Sequence, residues 1–600
     1  MRKEEDMFRS ANRWGLVACA LLASVGSLSA GAHDAGLDTS PVGCRPAFGA
    51  RPALVPFPRQ VMTGGTAVAR DALPPEGYRL EIGRDGSVQI EAADAAGRFY
   101  AEQTLSQLRE DAPSGGLEPM TIIDWPQFSW RGVHLDESRH FFGKKTVKRL
   151  IETMSRFKMN VLHWHIIDDC GWRLEIPGCP KLTREGATRK ARKGYGWLRD
   201  LADGPYGPFF YTAEDVKEIL AFAAARHVRV VPEVELPGHS AHVLRTCCPE
   251  YACDPKSPAG VFCLGNEAGM AFLEKVVTYV ADLFPDAYVH IGGDEVDATP
   301  WTKCGKCQAL AAREGLGSAA NLQSWVTRRF ADILARKGKK AVGWDEVMCE
   351  DAPKNLVVMD WCGKGNGAKA AAAGLEAVMC PHWFCYFDYD QCVKGDPVPY
   401  PDGVPPVPVS KVYAYDPYDG VAPADRCRIL GGQCNNWTEW TCTQDELEWK
   451  IWPRACAIAE VFWSCPERRD YASFARRLET RRAALVRLGV HAAPVGAEDG
   501  INVVPRPKKA SLTLGSYLAP TNVVTEAIGT FTQDASLPPE GYAITIHWET
   551  GITVRYADAA AKTHALATLR QLARPSPKGN LTFSSLELED APANPPGEGW

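Results

Sequence analysis

The densest chemistry in the sequence is the run His290-Ile-Gly-Gly-Asp294-Glu295, which sets two carboxylates side by side. Consecutive side chains on a strand point to opposite faces, so both can serve one pocket only where the strand ends, and Gly292-Gly293 permits the irregular backbone of such an ending. A carboxylate pair suits glycosidic-bond hydrolysis, in which one group protonates the leaving oxygen and another stabilises an oxocarbenium-like centre. Adjacent residues do not span the two faces of a sugar ring, so the usual nucleophile-plus-acid pair is disfavoured and the spacing suggests a nucleophile carried by the substrate. Other polar clusters recur along the chain: Arg131 and then Asp136-Glu-Ser-Arg139, His163-Trp-His165-Ile-Ile-Asp168-Asp169, and Glu233-Val-Glu235-Leu-Pro-Gly-His239. Each alone could be a satisfied buried group, and their weight comes from shared placement. Two other chemistries stay open. His163, His165, His239, His290 and Asp294 could ligate a divalent ion in a metal-dependent hydrolase, and a non-catalytic glycan binder could use the same scaffold, although the intact carboxylate pair argues against it.

These clusters each follow a short apolar run. Eight such runs read as strands: Gly132–Asp136, Val161–Asp168, Val228–Leu236, Tyr288–Gly292, Ala341–Asp345, Val357–Trp361, Ala377–Pro381 and Ile429–Gly432. Helical periodicity fills most intervals, as over Lys144–Lys158, Ala213–Arg226, Glu267–Phe284, Ala320–Arg336 and a surface helix at Ala368–Ala373. Eight strands alternating with helices predict an α/β (β/α)8 TIM barrel, whose chemistry gathers at the C-terminal ends of its strands. Trp344, Trp361 and Trp437 then close strands five, six and eight. A doubly wound open sheet is the runner-up, but no Gly-rich phosphate loop follows the first strand.

An internal repeat brackets the barrel. Leu73-Pro-Pro-Glu-Gly-Tyr78 recurs as Leu537-Pro-Pro-Glu-Gly-Tyr542, and Ala93-Asp-Ala-Ala96 recurs as Ala557-Asp-Ala-Ala560 at the same offset of 464 positions. Each copy reads strand, turn, strand, helix, so a small α+β domain precedes the barrel and a second copy follows it. The expected division is a signal peptide over 1–32, the small domain over 33–126, the catalytic barrel over 127–496 and the repeated domain over 497–600.

Trp130-Arg-Gly with Leu135-Asp-Glu-Ser-Arg-His-Phe-Phe142, Asn160-Val-Leu-His-Trp-His-Ile-Ile-Asp-Asp169, Pro237-Gly-His239 and His290-Ile-Gly-Gly-Asp-Glu295 closely resemble the β-N-acetylhexosaminidases of glycoside hydrolase family 20. The resemblance covers the barrel and the domain before it, and implies an exo-acting, retaining enzyme on β-linked GlcNAc- or GalNAc-terminated glycans, with no cofactor. It implies that Glu295 is the general acid and later the base. Asp294 would orient and stabilise the substrate's 2-acetamido group, whose carbonyl oxygen attacks the anomeric carbon to give an oxazolinium ion, and the charge of Asp294 would raise the pKa of Glu295. Tyr386 would hydrogen-bond the acetamido oxygen, and Trp344, Trp361 and Trp437 would box its methyl group. Arg131, Asp388 and Glu439 would bind sugar hydroxyls, while Asp168, His165 and His239 would support the acid. The third strand carries Glu233-Val-Glu235 where some members place an aspartate before Pro-Gly-His, which leaves the partner of His239 open. The C-terminal copy of the small domain is a second departure.

Composition sets the remaining limits. The chain of 600 residues is 45% hydrophobic and 23% charged, with a net charge of −6 and no dense basic run, so nucleic acid is a poor candidate partner and none is expected. Of 18 tryptophans, most would serve as core packing. Arg9 and Arg13 precede an apolar run from Trp14 to Leu28 and the small-x-small pattern Ala30-Gly31-Ala32, which reads as an export signal to the periplasm or medium; the run is too short and interrupted for a membrane span. Among 20 cysteines, some disulfides and at least one free thiol are expected in an oxidising compartment. Cys304-Gly-Lys-Cys307 with Cys253 and Cys263 could be a structural four-thiolate zinc knuckle, disulfides or buried thiols.

Overall fold

The computed structural model describes residues 53–591 apart from 64–71, 113–115, 193–197, 199, 201–203, 350, 393–395, 397–398, 401–403, 495–508, 520–522, 548–549 and 576–580. The expected export segment and the junction at 496–497 lie outside the described residues.

Eight parallel strands close into a barrel in chain order: Trp130–Asp136, Val161–His165, Arg229–Glu233, Tyr288–His290, Lys340–Trp344, Leu356–Asp360, Glu376–Met379 and Ile429–Asn436. Closure is made by the last strand pairing with the first, Gly431 opposite Trp130 through Asn436 opposite Leu135. The first, second and sixth strands are buried at every position, as expected where helices cover the outer face and side chains fill the interior. Helix starts follow local chemistry: Thr212 and Asp215 form a reciprocal capping box ahead of Ala213–Ala224, and Asn266 caps Glu267–Leu283 by accepting from Gly269 N–H. The alanine-rich segment forms the helix Asn366–Ala372, but Ala370 and Ala371 are fully buried, so it packs on the barrel by one face.

The N-terminal domain is a four-stranded antiparallel sheet, ordered Gln60–Thr63, Met120–Asp124, Tyr78–Ile82, Val88–Ala92, with the helix Ala95–Asp111 packed on it. It is bound to the N-terminal end of the barrel by buried polar contacts. Asp124 accepts from Tyr78 Oη (3.0 Å), Lys158 Nζ (3.0 Å) and Trp463 Nε1 (2.9 Å).

Arg131 belongs to this junction, and this corrects its assignment to the sugar site. Its guanidinium donates to the carbonyls of Phe128 (2.6 Å) and Lys158 (2.9 Å), to Tyr100 Oη (3.1 Å) and to Glu76 Oε2 (2.6 Å). The physical reason is position along the strand: Arg131 is the second residue of Trp130–Asp136, and a parallel barrel places the first residues of every strand at the end opposite the catalytic face.

The C-terminal repeat reproduces the frame of the first domain. Strands Lys509–Leu518, Leu581–Asp590, Tyr542–His547 and Gly551–Tyr556 take the same order, with Thr530–Gln533 added as an edge parallel to the last of these. Tyr78 Oη meets Thr104 Oγ1 at 2.6 Å, and Tyr542 Oη meets Thr568 Oγ1 at 2.7 Å. Asp94 and Asp558 cap equivalent helices and accept from the amides of Glu76 and Glu540, both at 2.8 Å. Outside this shared frame the copies diverge, since Glu76 pairs with Arg131 and Glu540 with His564.

Candidate active site

At the end of the fourth strand, Gly292 and Gly293 adopt positive φ of 69° and 99°, followed by Glu295 at 50°. These are left-handed conformations that side chains disfavour, and a Cβ on Gly292 would also overlap the Glu235 carboxylate. The turn is braced from both sides: Gly293 N–H donates to Glu235 Oε1 (3.0 Å), and Gln323 Nε2 donates to Gly293 O (2.6 Å). As the adjacency implied, the strand stops and the two carboxylates share one region. Asp294 is largely buried, whereas the Glu295 side chain is 53% exposed. Burial raises the Asp294 carboxyl to about 6, with His239 opposing and Glu233 and Glu295 adding to the rise.

His239 sits between them, its Nε2 lying 3.6 Å from Asp294 Oδ2 and 3.7 Å from Glu295 Oε2. Its other nitrogen meets Asp169 Oδ2 at 3.1 Å, with Asp168 Oδ1 farther away at 3.7 Å. The open question of the His239 partner is therefore answered by Asp169, which also accepts from Ala241 N–H at 2.7 Å. Burial acts to lower the His239 pKa, but the carboxylates of Asp168, Asp294 and Asp169 outweigh it and hold it well above the usual value.

His165 does not reach Glu295. Its Nε2 bonds Asp168 Oδ2 (3.0 Å) and its Nδ1 lies 2.5 Å from Glu233 Oε2, in a buried cluster where Glu233 also lies 3.0 Å from His163 Nε2 and 2.9 Å from His290 Nδ1. Trp344 Nε1 donates to the same carboxylate at 2.7 Å. Burial opposes ionisation of both partners, yet attraction to Glu233 and Asp168 raises His165 to about 10, and the histidines hold Glu233 well below the ordinary range. Glu233 is thus the organiser of the barrel floor, a role that sequence reasoning missed. Its only signal was an acid within an apolar strand. The five groups named for the metal-ligating alternative divide between two clusters, with His163, His165 and His290 turned to Glu233 and His239 turned to Asp169.

Aromatic walls stand over this floor. Trp344 and Trp437 are 5.8 Å apart between ring centres, and Tyr386 stacks on Trp361 at 6.1 Å and 18° and lies 6.2 Å from Trp437. Trp361 is held by Glu346, whose Oε2 accepts its indole N–H at 3.0 Å. Arg139, itself buried, lies 3.0 Å from Asp168, 3.3 Å from Asp136 and 3.5 Å from Glu439, and covers the Trp437 ring at 5.1 Å. Arg139 takes the place at the site that was assigned to Arg131. Asp388 is buried beside Glu439, and burial followed by that like charge raises its carboxyl well above the usual range. Asp388 Oδ1 and Asp294 Oδ1 are buried without a hydrogen-bond partner among the described residues, as expected of acceptors oriented towards a bound polar molecule.

A closed (β/α)8 barrel with paired carboxylates and aromatic walls at the C-terminal ends of its strands defines the class. Residues 128–466 match the catalytic domain of glycosyl hydrolase family 20, and residues 47–125 and 488–591 match domain 2 of that family. The chain is 36% identical over 439 residues to a beta-hexosaminidase of Porphyromonas gingivalis, covering 70% of this chain and 54% of that one. It is 35% identical to a beta-hexosaminidase of Vibrio furnissii, covering 64% of each. The chain thus spans between half and two thirds of the length of these relatives. Among solved structures, an exo beta-N-acetylglucosaminidase of Vibrio harveyi in complex with N-acetylglucosamine superposes with a TM-score of 0.67 at 28% identity, over 74% of this chain and 78% of that one. An N-acetyl-beta-hexosaminidase of Streptomyces plicatus gives 0.62 at 27% identity, over 74% and 96%. The chain belongs to glycosyl hydrolase family 20.

Proposed function

We propose that the protein is an exo-acting β-N-acetylhexosaminidase that removes terminal non-reducing β-linked GlcNAc or GalNAc with retention, through the substrate's own acetamido group. The observation that carries this reading is the Gly-Gly turn, which brings Asp294 and Glu295 to one side of a pocket with contrasting surroundings, one buried and one solvent-facing. Glu295 protonates the glycosidic oxygen while the acetamido carbonyl oxygen attacks the anomeric carbon, breaking the bond to the aglycone and forming an oxazolinium ion. Asp294, as a carboxylate, accepts from the acetamido N–H and stabilises the positive charge. Glu295 then removes a proton from the water that opens the ring, regenerating its acid form. Tyr386 donates to the acetamido oxygen, and Trp344, Trp361 and Trp437 enclose the methyl group. Arg139, Asp388 and Glu439 bind ring hydroxyls, while the Asp169–His239 pair steadies Glu295. An intramolecular nucleophile held in this way needs no protein nucleophile.

A panel of β-linked p-nitrophenyl GlcNAc, GalNAc, glucose and galactose tests the proposal. Turnover confined to the two acetamido sugars is expected, and comparable rates on glucose or galactose would overturn it. We also propose that residues 1–32 direct export, supported by Arg9 and Arg13 ahead of the apolar run Trp14–Leu28. N-terminal sequencing of protein recovered from periplasm or medium should begin near His33, whereas an intact terminus in the cytoplasm would refute it.

A further inference from the structure

Cys253, Cys263, Cys304 and Cys307 converge on one point between the loops that follow the third and fourth strands. Their sulfurs all lie within 4.8 Å of one another, and the closest approaches are 3.8 Å for Cys253–Cys307, 3.7 Å for Cys263–Cys304 and 3.6 Å for Cys263–Cys307. A disulfide would bring sulfurs to about 2.05 Å. Ligands of a tetrahedral zinc ion, with zinc–sulfur bonds of about 2.3 Å, stand about 3.8 Å apart along each edge. We propose that these four thiolates bind a structural zinc ion.

The surroundings support a built site. Cys304 immediately precedes the helix Gly305–Arg313, so Cys307 lies in its first turn, where the helix dipole favours a thiolate. On the facing loop, an Ala252–Phe262 bridge forms the base of a turn from which Cys253 and Cys263 project, and Cys263 N–H donates to Tyr251 O at 2.9 Å. Gly265 approaches the Lys306–Cys307 backbone so closely that a Cβ there would overlap it, so the two loops are in direct apposition. Trp301 Nε1 donates to Phe262 O at 2.8 Å, and both side chains are fully buried. Four thiolates leave no coordination position for a substrate, so the ion has no part in the reaction. Its role is to tie the loop carrying His239 to the loop carrying Asp294 and Glu295. Phe262 N–H donates to Pro237 O (3.0 Å) and Ser240 N–H to Gly260 O (3.0 Å), which connects the cysteine turn to both sides of His239.

The test is metal analysis of the full-length protein purified without metal-affinity resin. About one zinc per chain is expected, released in proportion as a mercurial titrates the four thiols. Cys263→Ser and Cys307→Ser should lose the zinc and lower the Tm, whereas Cys427→Ser, which alters an exposed cysteine outside the cluster, should keep it. If the cluster variants fail to fold, cobalt reconstitution of the wild type should give the intense visible bands and thiolate charge-transfer bands of a tetrahedral sulfur site. Wild-type protein with little zinc, or peptide maps showing Cys253–Cys307 or Cys263–Cys304 disulfides, would overturn the assignment. So would iron as the resident metal.

Discussion

Asp294 and Glu295 are covalent neighbours in unlike environments, and the first prediction follows from that contrast. In the proposed mechanism Asp294 must be ionised to stabilise a developing cation, and its carboxyl is raised to about 6, mainly by burial. The rate constant kcat/KM should therefore fall as the pH drops below about 6, and Asp294→Asn should abolish that limb and lower kcat by about 10²-fold or more. The sign for stability is opposite. A carboxyl raised in the folded state stabilises the fold in acid, and that contribution is lost as pH rises from the unfolded value through 6. At neutral pH the burial of Asp294 thus costs on the order of 2 to 3 kcal/mol, and Asp294→Asn should raise the Tm by a few degrees at pH 7 but not at pH 4, measured by calorimetry. Glu295→Gln should slow natural glycosides far more than p-nitrophenyl substrates, because a good leaving group needs little protonation. Equal losses on both would argue against the acid role.

Elements position these residues by ending where they do. The fourth strand is only Tyr288–His290, and Gly292 takes over in a left-handed conformation with Glu235 against its α-carbon. Gly292→Ala should cost about 2 to 4 kcal/mol, from overlap and from positive φ, and should reduce soluble yield. The two arginines of the first strand and its following loop offer a paired test. Arg131→Ala breaks a buried network at the base of the barrel and should lower stability by about 3 kcal/mol or more while leaving KM unchanged. Arg139→Ala, at the catalytic end, should raise KM and also lower Tm, because Asp136, Asp168 and Glu439 lose their shared cation. A raised KM in Arg131→Ala with unchanged Tm would restore the reading made from sequence.

On the scale of the whole molecule, a barrel is bracketed by two copies of one domain that have different external roles. In the first copy Glu76 and Asp124 meet Arg131, Lys158 and Trp463, so its removal should destabilise the N-terminal end of the barrel. The second copy shares the tyrosine–threonine bond and the aspartate cap, with its Glu540 paired to His564 inside the domain. Truncation of residues 497–600 should leave kcat and KM unchanged, and a shift in glycan affinity or oligomeric state would instead reveal a binding role. None of the eighteen cysteines among the described residues is in a disulfide, contrary to the expectation, and four of them are the proposed zinc ligands. Cys380, Cys385 and Cys456 are buried, and that burial raises their thiols well above the reactive range.

The eight strands, the repeat and the carboxylate turn were legible in the sequence because each is a local pattern: apolar runs at barrel spacing, a constant offset, and two glycines ahead of two acids. Tertiary structure alone decided which groups meet. Glu233 meets histidines from the two strands that flank its own, because parallel register puts Glu233 level with His165 and His290. Asp169 rather than Asp168 reaches His239 because the chain turns after the second strand and sends neighbouring carboxylates to different partners. Arg131 and Arg139 look alike on paper and stand at opposite ends of the barrel. A sequence records residue types and spacing, whereas distance across a closed sheet is set by strand direction and register, which exist only once the chain has folded.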